Sequence, residues 1–327
     1  MKILLVGGAG YIGSHMIKRF QQTDHQIEIF DNLSTGYEGN VQNYKFHKCD
    51  LSNKEQTHQI LKDNKYDVIM HFASFINVGE SYDNPKKYYE NNVTNTLNLL
   101  DCMVDLKISK FIFSSTAAVY GEPSLIPIDE EQHLKPVNPY GNTKAIVENI
   151  LAEYDKAYGL KYISLRYFNA CGAHVDGTIG EQHDPETHLI PLILQAASGR
   201  KENITIYGSD YPTKDGTCIR DYIHVMDLAE AHLLALESLA INQTSNIFNI
   251  GSNNGFSVNE IIQVAEQVSK KKIPIVIGPK RKGDPSKLVA DNKKISQELN
   301  WTPQYSDLKT IISTAWNWEQ QLTKSNS

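Results

Sequence analysis

Short apolar runs recur along the first half of the chain: KILLV at 2–6, QIEIF at 26–30, YKFHKC at 44–49, YDVIMHF at 66–72, KFIFSS at 110–115 and KYISLRYF at 161–168. Their brevity and their content of β-branched and aromatic residues predict strands. Between them, stretches such as YIGSHMIKRFQQ (11–22) and the segment from Pro85 to about Asp105 carry apolar residues at helical spacing. Strand and helix alternating in this way predict a parallel sheet with helices on both faces.

After about Phe168 the rhythm loosens. A polar stretch, CGAHVDGTIGEQHDPETH, leads to a predicted helix at LIPLILQAASG and a strand at ITIYG. A strand at IFNIG, a helix near SVNEIIQVAEQVSK, a strand at IPIVIG and a final helix bearing Trp316 and Trp318 follow. The expected fold is therefore α/β, a doubly wound parallel sheet of the Rossmann kind with a smaller α/β C-terminal substrate domain. The expected boundary separates residues 1–170 from 171–327, with some later strands returning to the main sheet.

Composition narrows the function classes. The 327 residues allow one large or two unequal domains, and 40% hydrophobic content with a net charge of −6 offers no broad basic surface for nucleic acid. Cys49, Cys102, Cys171 and Cys218 lie far apart without a CxxC pair, which suits a reducing compartment. No apolar run reaches the roughly 18 to 20 residues of a membrane span, and KILLV opens the chain without a signal-peptide pattern. The expectation is a cytoplasmic protein with neither a membrane nor a nucleic-acid partner.

The first chemistry lies at GGAGYIG. Gly7, Gly10 and Gly13 follow a strand and precede an amphipathic helix, the context in which backbone amides and a helix N-terminus receive a pyrophosphate. The same triplet also suits a tight turn in any α/β protein. Asp31 ends the second strand 18 residues beyond Gly13, where a carboxylate accepts hydrogen bonds from an adenosine ribose and repels a 2′-phosphate. NAD is thus favoured over NADP, although a capping Asp of the turn DNLSTG reads identically. Asp50 and Leu51, at the end of the third strand, face the same crevice edge; Asp50 is equally readable as a helix cap.

The second lies at PYGNTK. Asn138 is the expected N-cap and Pro139 the first helical residue, so Tyr140 and Lys144 share one helix face at i and i+4. An ammonium beside a phenol lowers the phenol's pKa from about 10 and makes it a usable general base. Ser114, Ser115 and Thr116 end the strand before it, so a hydroxyl is expected at the same crevice. A Tyr/Lys pair without function, and hydroxyls that only cap a turn, are the alternatives.

These residues carry a resemblance. The chain resembles the extended short-chain dehydrogenase/reductases, and closely the UDP-glucose (UDP-galactose) 4-epimerases, from GGAGYIG to the last helix. The long strings RYFNACGA, DYPTKDGTCIRDYIHVMDLA and RKGDPSKLVAD carry the likeness beyond the glycine loop. The resemblance implies a tightly held NAD, reduced and re-oxidised within one turnover. It casts Tyr140 as base, Thr116 as a hydrogen-bond partner of the sugar 4-oxygen, and Lys144 as holder of the nicotinamide ribose. It implies further cofactor contacts from Tyr11, Ile12, Asn32, Phe72, Ala73, Asn91, Ser114 and Phe168. Asn169, Leu189, Tyr207, Arg220, Arg281 and Asp284 would bind the UDP part of the substrate, the arginines matching phosphate oxygens.

Departures matter too. Ile76 stands where some epimerases carry a lysine, so that cofactor contact is not carried over. Leu288, intermediate in bulk, stands where others have tyrosine or cysteine, leaving open an epimerase of N-acetylated or uronic sugar nucleotides. Related dehydratases follow the threonine with an Asp–Glu pair; here stand Ala117 and Ala118, whose methyl groups transfer no protons. A nucleotide-sensing protein without chemistry is the alternative from another class, opposed by Thr116, Tyr140 and Lys144 together.

His174, His183 and His188 are spaced nine and five apart and match no compact zinc signature, so no metal is expected. Trp301, Trp316 and Trp318 are expected to pack the C-terminal helix. The helix from Pro85 carries Tyr88, Val93, Leu97 and Leu100 on one face. The resemblance implies that this helix and the one after Tyr140 form a homodimer seam, although the same face also suits burial on the sheet.

Overall fold

The computed structural model describes residues 1–281 and 285–325. They form two compact units. The first comprises Met1–Glu122, Glu130–Tyr167 and Ala229–Phe248; the second comprises Pro123–Asp129, Phe168–Leu228 and the chain from Asn249 on.

The first unit is built on strands β1 (Lys2–Val6), β2 (Gln26–Asp31), β3 (Phe46–Lys48), β4 (Val68–His71), β5 (Lys110–Thr116) and β6 (Lys161–Tyr167). Their spatial order is β6-β5-β4-β1-β2-β3, and every pairing among them is parallel. The order therefore reverses between β1 and β4, the place where a doubly wound sheet opens a crevice at its carboxyl edge. The strand Asn246–Ile250 adds a seventh member beside β6.

Register decides what reaches that edge. Val6 lies level with Phe30 and His71, and His71 lies level with Phe113. The next residues along, Asp31, Gly7, Phe72 and Ser114, consequently stand in one row. Thr116 lies two residues further along β5, and Asp50 two beyond Lys48, the partner of Asp31 on β3.

The helix Val225–Asn242 escapes the sequence pattern. Val225, Leu228, Ala229, Ala231, Leu233, Ala235, Leu236 and Leu239 are all nearly or fully buried, so its apolar residues are not confined to one stripe. Its His232 packs against Phe72 at 5.1 Å between ring centroids and hydrogen-bonds the Tyr167 hydroxyl.

The segment from Pro85 is helical in three pieces: Pro85–Tyr89, a π turn at Glu90–Thr94, and Asn95–Asp105. Tyr88 and Leu100 are fully buried, Val93 is half-buried against the main core and Leu97 is half-buried, so part of the face they share serves this unit's own interior.

The edge strand Asn246–Ile250 is β10; the second unit contains β7 (Asn169–Cys171), β8 (Ile204–Tyr207), β9 (Ile219–His224), β11 (Gly255–Ser257), β12 (Ile275–Gly278) and β13 (Lys287–Leu288). Strand β9 is its hub, pairing with β7, β11 and β13, while β8 pairs with β12. Helices Leu189–Ser198, Val258–Ser269 and Leu308–Ser325 close a core that includes Ile193, Ile261 and Ile311.

Candidate active site

Sterics separate the three glycines of the first loop. A Cβ on Gly7, whose φ is +79°, would lie 2.5 Å from the Ala73 nitrogen, and one on Gly13 would lie 2.6 Å from the Gly7 oxygen. Both are required by the protein's own packing. Gly10 is different: its Cβ would meet nothing closer than 3.5 Å. It is the extended N-cap of the helix Tyr11–Phe20, makes no side-chain cap and is followed by a first turn without an acid. A bare, positively polarised helix start of this kind suits an anion.

Asp31 braces this loop. Its Oδ2 accepts from the Ala9 amide at 3.0 Å and its Oδ1 from the Leu33 amide at 2.8 Å. Burial raises its pKa, and the amide hydrogen bonds oppose the rise. It is thus a turn cap for the amides of Ala9, Leu33 and Asn32, and a carboxylate's acceptor capacity leaves room for a further donor. Asn32 Nδ2 donates to Asp50 Oδ2 at 2.5 Å, and Asp50 Oδ1 accepts from the Ser52 amide at 2.8 Å. Burial raises the Asp50 pKa, but these bonds outweigh it and hold the group below its ordinary value. Leu51 beside it is buried.

Phe72 and Ala73 follow β4, and the chain just beyond them is held at Phe75 by Asn92, which the sequence reading missed. Asn92 Oδ1 accepts from the Phe75 amide at 2.9 Å, and its Nδ2 donates to the Phe75 carbonyl at 3.0 Å and to Thr143 Oγ1 at 3.2 Å. The π turn that carries it also carries Asn91, whose Nδ2 donates to Asn92 Oδ1 at 2.9 Å. Such turns recur at functional sites because the extra residue re-aims neighbouring side chains.

The helix Pro139–Tyr158 begins as its sequence requires, with Asn138 Oδ1 accepting from the Gly141 amide at 2.7 Å. A Cβ on Gly141 would strike the Ala118 oxygen at 2.5 Å, so this glycine lets the helix close on the turn after β5. Tyr140, Lys144 and Glu148 occupy successive turns of one face. The Thr116 hydroxyl hydrogen-bonds the Tyr140 phenol, and its Oγ1 also accepts from the Ala118 amide at 3.2 Å.

Charge is arranged unusually along this face. Lys144 is only 2% exposed. Its Nζ donates to Ser74 Oγ at 2.6 Å and to the Ser114 carbonyl at 2.8 Å, and lies 4.8 Å from the centre of the Phe113 ring. Burial pushes its pKa down to about 7, with the Glu148 charge opposing. Glu148 is already occupied by Arg166, with Nη2 to Oε2 at 2.6 Å, and by the Ser115 hydroxyl. Burial pushes the Tyr140 phenol up to about 12, against the Thr116 hydrogen bond. Burial thus outweighs the lowering expected from Lys144, whose ammonium hydrogen-bonds Ser74 and Ser114. Ser74, in the string HFAS, is a second residue the sequence reading missed.

The second unit places its own candidates. Phe168 is buried and its amide donates to the Ile250 carbonyl at 3.0 Å. Asn169 Nδ2 donates to the Asp221 carbonyl at 2.7 Å, and Leu189 opens its helix. The Arg281 guanidinium lies 4.2 Å from the centre of the Tyr207 ring. Arg220 on β9 pairs in register with Leu288 on β13, which brings a diphosphate candidate beside the residue suspected of gauging sugar bulk. Asp284 lies outside the described residues. Asp221, in the string RDY, is no surface charge: it is fully buried and accepts from the amides of Ser252, Asn253 and Ala290.

Residues 3–251 match the NAD dependent epimerase/dehydratase family. The chain is 48% identical to a UDP-glucose 4-epimerase of Lacticaseibacillus casei over 98% of its own length and 97% of that protein. It is also similar to the crystal structure of UDP-glucose 4-epimerase from Brucella ovis in complex with NAD: 45% identity, TM-score 0.94, 96% of this chain and 97% of that one. The UDP-Glc/GlcNAc 4-epimerase from Campylobacter jejuni is 44% identical with a TM-score of 0.86, over 98% of this chain and 99% of that one. The chain belongs to the NAD dependent epimerase/dehydratase family and, within it, to the UDP-glucose 4-epimerases.

Proposed function

We propose that the chain interconverts UDP-galactose and UDP-glucose through a 4-keto sugar, with NAD held through the turnover. The observation that carries this reading is the convergence of a buried Lys144, with neutral hydrogen-bond partners, and a Thr116-bonded Tyr140 at the carboxyl edge of the sheet. A dinucleotide fits the first unit, because Gly10 leaves room that the packing does not need and Asp31 offers a carboxylate to a ribose. When bound, NAD supplies the acceptor and donor of the sugar C4 hydride. Gly7, Gly10, Tyr11, Ile12, Gly13, Asp31, Asn32, Asp50, Leu51, Phe72, Ala73, Asn91, Ser114, Tyr140, Lys144 and Phe168 would hold it.

Tyr140 Oη takes the proton of the sugar 4-hydroxyl and returns it when the ketone is reduced. Thr116 donates to the same 4-oxygen. Lys144, lacking an acid of its own, offsets the phenolate charge that forms in this step. Asn169, Leu189, Tyr207, Arg220, Arg281 and Asp284 would hold the UDP part. Ala117 and Ala118 provide no acid or base for loss of water, which favours epimerisation over dehydration. Assembly as a homodimer is proposed from the family likeness alone. A cytoplasmic setting goes with four cysteines that form no disulfide.

Two results test these assignments. A purified-enzyme assay with UDP-galactose, UDP-N-acetylgalactosamine and UDP-galacturonate should show turnover of the first, and its absence would sink the reading. Gly10→Ala should fold with little change in thermal stability yet bind NAD at least about tenfold more weakly, an increment of about 1.4 kcal/mol. Unchanged NAD affinity in that variant would remove Gly10 from the phosphate site.

A further inference from the structure

Within the second unit, the loop before the helix Leu189–Ser198 gathers four side chains that the proposed chemistry does not use. Glu181, His183, Glu186 and His188 each present one donor atom, and the four atoms lie within 4.8 Å of one another. Both imidazoles turn the same nitrogen inward. His188 Nδ1 lies 2.9 Å from Glu181 Oε1 and 3.1 Å from Glu186 Oε1. His183 Nδ1 lies 3.5 Å from Glu181 Oε1 and 3.4 Å from Glu186 Oε2.

A tetrahedral ion with arms of about 2.0–2.1 Å holds its donors about 3.3–3.4 Å apart. The four imidazole–carboxylate separations fall on either side of that edge length. Glu181 meets both imidazoles with Oε1, whereas Glu186 meets His188 with Oε1 and His183 with Oε2, so each imidazole faces both carboxylates and the four side chains surround one small space.

The carboxylates are withdrawn from water, with side chains only 6% and 5% exposed. They are also held from outside. Trp318 Nε1 donates to the Glu181 carbonyl at 2.9 Å, and Glu186 Oε1 accepts from the amides of Thr187 at 2.7 Å and His188 at 2.8 Å. Outer bonds of this sort orient ligands before an ion arrives.

We infer that Glu181, His183, Glu186 and His188 form a binding site for one divalent transition-metal ion of the zinc class. Two imidazoles with two carboxylates suit a borderline cation better than the all-oxygen shell of calcium or magnesium, or the thiolate shell of softer ions. Glu181 and His188 line a small cavity together with Asn169 and Leu189, so the ion fixes the ground on which both stand. That consequence for substrate rests on the function proposed above; the metal site does not. The ligand order, E-x-H-x-x-E-x-H, hid the site because its carboxylates alternate with its histidines.

The test uses the full chain, stripped with chelator and titrated with Co²⁺ followed by Zn²⁺. The expected result is uptake of about one equivalent, with the visible bands of tetrahedral cobalt lost on adding Zn²⁺, and a rise in Tm with Zn²⁺. The double variant His183→Ala/His188→Ala should lose both signals. His174→Ala should keep both, since its imidazole pairs instead with Asp176 at 2.8 Å. The wild-type titration decides even if the double variant fails to fold. Uptake below about a tenth of an equivalent, or uptake without tetrahedral bands, would make the cluster a set of proton-bridged ion pairs and overturn the site.

Discussion

Replacing Tyr140 by phenylalanine should lower epimerase turnover by about 10²–10⁴-fold, the usual contribution of a positioned general base. The substitution removes one oxygen and leaves the ring. That oxygen's protein partner is the Thr116 hydroxyl, so the loss leaves no charge stranded in the interior. The helix start is held independently by Asn138 and Gly141, and should be unaffected. The variant should therefore keep its Tm and its bound dinucleotide while losing the rate. Steady-state turnover of UDP-galactose, with nucleotide content measured on the same preparation, checks this. A rate within about threefold of the parent would remove Tyr140 from proton transfer.

Lys144→Met should be nearly as damaging at neutral pH, and its pH dependence is the sharper signature. Burial sets Lys144 at about 7 and Tyr140 at about 12. The working form carries the ammonium beside a phenolate, one proton fewer than the fully protonated pair. Its share rises with pH until Lys144 begins to lose its own proton near 7. The parent rate should accordingly rise with pH and level off just above 7. In Lys144→Met only the phenol is left to ionise, at about 12. The rate near neutrality should fall by about 10²–10⁴-fold and then climb about tenfold per pH unit through the alkaline range. Methionine fills most of the lysine's volume, and the Ser74 hydroxyl and Ser114 carbonyl are the groups left without the ammonium. A variant that keeps the parent's pH profile would show that Lys144 does not set the ionisation.

The first unit was the more legible. Its strands are short apolar runs between amphipathic helices, and its glycine loop and Asn138–Pro139 helix start are local signals that survive into the structure. The row of Asp31, Gly7, Phe72 and Ser114 follows from register, which no single stretch of chain displays. Ser74 and Asn92 were invisible for a related reason: each matters through a partner far along the chain, Lys144 for one and Thr143 for the other.

In the second unit, β9 is the centre of its sheet, yet IRDYIH places a charged Arg–Asp pair inside the strand, so no apolar run marks it. Asp221 is tolerated there because its carboxylate organises three backbone amides. The helix Val225–Asn242 hid because its buried residues leave no clean polar stripe. On the face that carries Tyr88, Val93, Leu97 and Leu100, Tyr88 and Leu100 are buried while Val93 and Leu97 are half-buried, so the stripe by itself says nothing about a partner.

On the proposed function, the bound dinucleotide ends each turnover as it began. The most direct measurement incubates the purified chain with UDP-galactose and no added dinucleotide, following both sugars and the reduced-nucleotide absorbance. UDP-galactose should equilibrate with UDP-glucose with no net accumulation of NADH. A strict requirement for added NAD, with stoichiometric release of NADH, would contradict it.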